Sequence, residues 1–100
     1  MTDSTVDAAV GTLKRTLGIT NKRGLHARAA AKFVRTASQF DSIVRVSFKG
    51  QEVSGLSIMG LMMLAASPGT TIRIVCSGND AAAAMEALAG LVADRFGEEE

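Results

Sequence analysis

The chain has no tryptophan and no tyrosine, and only four phenylalanines. Base-reading surfaces stack nucleobases on paired aromatics, so this composition gives a nucleic-acid reader little to work with. A single cysteine, Cys76, excludes an internal disulfide and a cysteine-based zinc cage. A single histidine, His26, excludes most histidine metal sites and leaves one imidazole for chemistry. No metal and no cofactor are expected. No stretch approaches the ~20 apolar residues that a membrane helix needs. The start is not a basic segment followed by an apolar one, so no secretory signal is read there. The expected location is the cytoplasm. Paired carboxylates at helical spacing are missing, which argues against a self-sufficient acid–base enzyme.

What is present fits one small soluble domain: 100 residues, 47% hydrophobic and 21% charged. The net charge of +1 conceals an uneven distribution. Between Ala8 and Phe40 there is no acid, while Lys14, Arg15, Lys22, Arg23, Arg28, Lys32 and Arg35 all fall there. Such a one-sign block steers an oppositely charged partner, or else is a solvated face. The acids gather near the start, at Asp3 and Asp7, and at the end, at Glu98, Glu99 and Glu100.

Hydrophobic period divides the chain into a leader at residues 1–12, a domain at 13–97 and a solvated acidic tail at 98–100. Leu13, Leu17 and Ile19 mark one side of a strand, and a polar loop follows at 21–24. After His26 a helix is predicted, with Ala27, Ala30, Ala31, Val34 and Ala37 as its apolar stripe and Arg28, Lys32 and Arg35 on another face. Val44, Val46 and Phe48 alternate with polar positions in a second strand. A turn at Lys49–Gly50 leads to a short return strand at 51–54. Ser57 caps a short helix through Ala66, with Ile58, Leu61, Met62 and Ala65 as its stripe; with Met59 and Met63 beside them, it is too apolar for a core face alone. Ile72, Ile74 and Cys76 define the last strand, placing Cys76 in the core. A long helix from Asn79 or Asp80 faces Ala84, Met85, Leu88, Leu91, Val92 and Phe96 inward and stops at Gly97. Gly90 within it reads as a close helix–sheet approach. One sheet with helices on one face is the economical assembly of this order.

Two motif candidates fail on spacing. Gly55 to Gly60 spells G-x-S-x-x-G, one residue too long for a nucleophile elbow, and Leu61–Met62 stands where a phosphate loop needs Lys-Ser/Thr. A Ser-His-acid triad lacks an acid near His26. The informative stretch is Gly24-Leu25-His26-Ala27-Arg28. It sets the histidine at the start of a helix, where unpaired backbone N–H groups and a partial positive charge favour an anion. The amides of Ala27 and Arg28 and the Arg28 guanidinium would meet a phosphoryl group carried by the ring. The same positive surroundings favour the neutral, nucleophilic imidazole. A helix-capping histidine with no chemistry fits the local pattern as well.

These residues carry a family resemblance. GLHARAAAKFV resembles the active-site loop and first helix of the HPr family, the histidine phosphocarriers of the phosphoenolpyruvate-dependent phosphotransferase system. LSIMGLMMLAASPGTTIRI resembles the family's second helix and last strand, and the likeness runs over residues 14–96. It implies an α+β open-faced sandwich, a four-stranded antiparallel sheet covered on one face by three helices. It implies that Nδ1 of His26 accepts a phosphoryl group from phosphorylated enzyme I and passes it to a histidine of enzyme IIA in sugar transport, with Arg28 holding the phosphate. Such a protein is a carrier and not an enzyme. Ser57 matches the serine phosphorylated for regulation by HPr kinase/phosphorylase. Ile58, Met59, Met62 and Met63, with Arg28, resemble the partner-docking patch. The chain departs from the pattern at Ala29, where the family commonly has proline, and at Leu56, where many members have a basic residue. The nitrogen-related regulatory branch is the rival within the system. A non-catalytic nucleic-acid or protein-binding module is the rival outside it. A monomer without membrane insertion is expected.

Overall fold

The computed structural model describes residues 12–99. The leader expected at 1–12 therefore lies, apart from Thr12, outside the described residues, as does Glu100.

Four strands, β1 (Leu13–Gly18), β2 (Ile43–Phe48), β3 (Gln51–Ser54) and β4 (Thr71–Ser77), form an antiparallel sheet in the order β1-β4-β2-β3. Register follows from the period-two pattern of the two central strands. Cys76 sits between Leu13 and Val44, Ile74 between Arg15 and Val46, and Ile72 opposite Leu17. Val44, Val46, Ile72, Ile74 and Cys76 are buried on one face. Alternate residues such as Lys14, Arg45 and Arg73 are exposed. Three helices, α1 (Ala27–Ala37), α2 (Ile58–Leu64) and α3 (Ala81–Ala93), complete the open-faced α+β sandwich that the element order predicts.

The helix faces differ in detail from the predicted stripes. In α1 the buried residues are Ala29, Ala30, Phe33 and Ala37, while Ala27 is exposed. Ala27 stands in the first turn, ahead of the point where the helix meets the core. Phe33 fills the centre of the face, and truncating such a ring costs about 3–5 kcal/mol. In α2 only Leu61 and Leu64 are buried. Ile58, Met62 and Ala65 point outward instead of inward. The helix also ends sooner than predicted, because Ala65 adopts a left-handed cap at φ 57°. Seven residues make only about two turns, enough for one narrow inward edge. In α3 the inward set is as predicted for Ala84, Met85, Leu88 and Val92, with Leu91 half-buried. Gly90 does not mark a close approach: it is exposed, and a Cβ there would meet nothing within 4 Å.

The C-terminal end departs most from expectation. Helix α3 stops at Ala93, and Arg95–Gly97 forms a single 3-10 turn in which Arg95 and Phe96 both have φ of 56°. Phe96 is fully buried, so the turn is anchored in the core. Lys32, expected on the basic stripe of α1, donates from Nζ to the Phe96 carbonyl at 2.7 Å. The chain reverses here, and the residues that follow return toward the start of α1.

Candidate functional site

The loop before α1 is shaped by three contacts. Gly24 has φ of +65°, and a Cβ on it would stand 2.3 Å from the Ala66 carbonyl oxygen. The neighbouring Leu25 N–H donates to that same oxygen at 3.0 Å. Leu25 is buried and ties the loop to the core. Asn21, fully buried, donates from Nδ2 to the Gly24 carbonyl at 2.9 Å. A polar residue so deeply placed must be hydrogen-bonded to be tolerated.

His26 then occupies the N-cap of α1 in extended conformation, φ −78° and ψ 178°, with no side-chain capping bond. The ring therefore does not cap the helix through its side chain. The first bond of the helix runs from the Ala30 N–H to the His26 carbonyl, at 2.9 Å. That leaves the amides of Ala27, Arg28 and Ala29 as the open donors of the first turn. Ala27 and Arg28 are exposed, and the His26 side chain retains 22% of its surface. His26 and the first-turn residues Ala27 and Arg28 thus lie at or near the protein surface. Lys22, Arg23, Arg28, Glu98 and Glu99 line an open cleft of about 710 Å³.

The acid that seemed to be missing near His26 is Glu98, 72 positions away. Its Oε2 meets Nε2 of the ring, and its Oε1 accepts from Asn21 Nδ2 at 3.0 Å. Only 16% of the Glu98 side chain is exposed, so residue 98 is not part of a solvated tail. Burial pushes its carboxyl upward. Hydrogen bonds from Asn21 and His26, with the charges of His26 and Lys32, outweigh burial and hold it below the ordinary carboxylate value. The expectation of a ring surrounded only by positive groups is corrected accordingly. Among the described residues no group hydrogen-bonds to Nδ1, the other ring nitrogen.

Asn21 and Glu98 were not singled out by sequence reasoning. Asn21 lay within the polar loop, where Asn three residues before Gly is a turn signal. Gly97 signalled only a helix stop. Nothing in the local sequence links a glutamate in a run of glutamates to the imidazole.

The second motif is separate from this loop. Ser57 caps α2 as predicted, its Oγ accepting from the Gly60 N–H at 2.9 Å. Around it lie exposed apolar side chains: Leu56, Ile58 and Met62, with Met59 at 67% and Met63 at 72% exposure. Core packing leaves Met59 and Met63 largely outside and covers Ile58 and Met62 only in part. Cys76 is fully buried, and burial pushes its thiol up, partly offset by a hydrogen bond with Ser42. It is a core residue, as predicted. No cluster of metal-binding side chains occurs among the described residues, and none of their helices is long and apolar enough to cross a membrane.

The structure is thus an open-faced α+β sandwich with a partly exposed histidine at the N-cap of its first helix. The model of the PTS HPr component phosphorylation site matches residues 13–94. The phosphocarrier protein HPr of Xylella fastidiosa is 53% identical over 87 residues, which span 87% of this chain and 98% of that protein. Phosphocarrier protein NPr of Shewanella violacea is 42% identical over 86 residues, spanning 86% of this chain and 94% of that one. The crystal structure of HPr-C-His from Thermoanaerobacter tengcongensis superposes with a TM-score of 0.84 at 43% identity, covering 88% of this chain and 99% of that structure. The chain belongs to the HPr family of phosphocarriers of the phosphotransferase system.

Proposed function

We propose that this protein accepts a phosphoryl group on Nδ1 of His26 from phosphorylated enzyme I and delivers it to a histidine of enzyme IIA. The observation that carries the reading is the ring at the N-cap of α1, partly exposed, with its Nε2 engaged by Glu98 and its Nδ1 without a partner in the described chain. The lone pair of a neutral Nδ1 attacks phosphorus. The open amides of Ala27 and Arg28, the positive end of α1 and the Arg28 guanidinium stabilise the incoming charge. Phosphoryl transfer needs little covalent chemistry from the carrier, so positioning and electrostatics suffice, and the donor supplies the rest. Ala29, fully buried in this chain, leaves the first turn without a proline but keeps all three amides.

In this reading the exposed Met59, Met62, Met63 and Ile58, with Arg28, serve as the docking surface. Methionine is flexible enough to serve partners of different shape. Ser57 is the regulatory site for HPr kinase/phosphorylase. A phosphate there would add about −1.5 to −2 charges to an apolar docking surface. The carrier works in the sugar branch. The similarity to NPr keeps the nitrogen-related branch as the second reading, and the identity of the enzyme IIA that accepts the group decides between them.

The test is incubation with phosphoenolpyruvate and enzyme I, followed by detection of acid-labile phosphate. His26→Ala should abolish the label and Ser57→Ala should leave it intact. Label that survives His26→Ala overturns the assignment. Kinase and ATP should give acid-stable phosphate that Ser57→Ala removes. A salt-sensitive complex with random RNA, together with no phosphoryl acceptance, would favour the binding-module reading.

A further inference from the structure

Glu98 is held where it is by independent contacts. The left-handed Arg95 and Phe96 reverse the chain, and buried Phe96 anchors the turn. Lys32 of α1 fixes the Phe96 carbonyl. Asn21 binds Glu98 Oε1 and the Gly24 carbonyl with one amide nitrogen, linking the loop ahead of His26 to the carboxylate behind it. A solvated acidic tail needs none of this. An ionised carboxylate has no hydrogen to give, so its contact with Nε2 requires the hydrogen to sit on that nitrogen. In a neutral imidazole the lone pair is then on Nδ1.

We propose that Glu98 is a positioning residue: by accepting from Nε2–H it fixes the plane and tautomer of His26, presents the Nδ1 lone pair outward, and keeps the Nε2 hydrogen in place while the group is transferred. The proposal rests on the phosphocarrier reading. In the step, the Nδ1 lone pair forms the N–P bond as the bond from phosphorus to the donor atom breaks, its electron pair staying with the donor. No proton leaves the ring, which then carries a positive charge facing the Glu98 carboxylate. On delivery, the N–P pair returns to Nδ1 and the ring is neutral again. Lys22, Arg23 and Arg28 line the cleft together with Glu98 and Glu99. Lys32 stands behind Glu98, bound to the Phe96 carbonyl. A buried carboxylate against Nε2 also repels a phosphoryl group from that nitrogen, so one atom restricts the reaction to the other.

The experiment compares the full chain with Glu98→Gln and Glu98→Ala, by ring-nitrogen NMR and by the rate of phosphoryl acceptance from enzyme I. The unmodified protein should show a downfield Nε2–H proton protected from water. Glu98→Gln, a neutral acceptor of the same shape, should keep that proton at a less shifted position. Glu98→Ala should lose it to exchange. The acceptance rate should fall about tenfold in Glu98→Ala, with Glu98→Gln between the two. The amide spectrum reports the fold, and Glu98→Gln decides if the alanine variant unfolds. An unchanged ring proton in Glu98→Ala, a proton found on Nδ1, or an alanine variant that accepts as fast as the parent or faster overturns the proposal. If the unmodified protein takes no label, the phosphocarrier reading fails, and the ring proton separately shows whether Glu98 holds the imidazole.

Discussion

The Gly24 α-carbon faces the Ala66 carbonyl so closely that a single added methyl group would stand 2.3 Å from the oxygen. This contact seats the loop before His26 on the segment that follows α2, and the adjacent Leu25 N–H uses the same oxygen. Gly24→Ala combines a steric clash with a backbone at φ +65°, where a side chain is strained. The variant should lose about 2 kcal/mol or more in urea unfolding. Its phosphoryl acceptance should fall further than stability alone accounts for, because His26 lies two residues on. An unperturbed acceptance rate would separate the loop from the chemistry.

Stability should depend on Glu98 as pH falls. Its carboxyl is held below the ordinary value of 4.5, so the unfolded chain binds the proton more tightly than the folded one. Stability therefore rises with pH across this range. The contribution of Glu98 is fully present above pH 4.5 and is lost as acid titrates the folded carboxylate. Urea unfolding of the parent and Glu98→Gln should differ by about 1 kcal/mol at pH 7. The difference should shrink toward zero at strongly acidic pH, and a constant difference would contradict the linkage.

Arg28 is exposed and makes no ion pair among the described residues. Arg28→Ala should leave the unfolding midpoint nearly unchanged and slow phosphoryl acceptance by about ten- to a hundredfold. Arg28→Lys should recover only part of the rate, since an ammonium keeps the charge but not the planar fork.

Cys76 should be inert in the folded protein. It is fully buried between Leu13 and Val44, and burial raises its thiol. A thiol reagent should label it only through opening of the sheet, so labelling should accelerate with urea and should leave phosphoryl acceptance untouched until the chain unfolds.

Gly90→Ala should stabilise the protein by up to about 1 kcal/mol. The position is helical, exposed and open around the missing Cβ. Thermal unfolding checks the sign, and destabilisation would mean that the helix needs glycine there for a reason beyond its visible neighbours.

The strands were legible because strict alternation admits one arrangement: Ile72, Ile74 and Cys76 could only share a face. The helices were less so. An alanine-rich segment offers several apolar stripes of similar quality, and the choice of Ala27 over Ala29 and Phe33 turned on where α1 meets the sheet. For α2 the sequence shows an excess of apolar residues but not which edge faces inward. His26 and its amides could be read locally because a helix start is a local event. Glu98 could not, since its place depends on two left-handed residues after α3, on the burial of Phe96 and on Lys32 reaching a carbonyl 64 residues away.

The reversal at Arg95–Gly97 has a practical corollary for anyone modifying this molecule. A bulky label introduced at Glu99 would stand in the cleft that Lys22, Arg23 and Arg28 also line, not on a remote surface. On the phosphocarrier reading, such a label would compete for the space that the proposed donor and acceptor proteins use in turn.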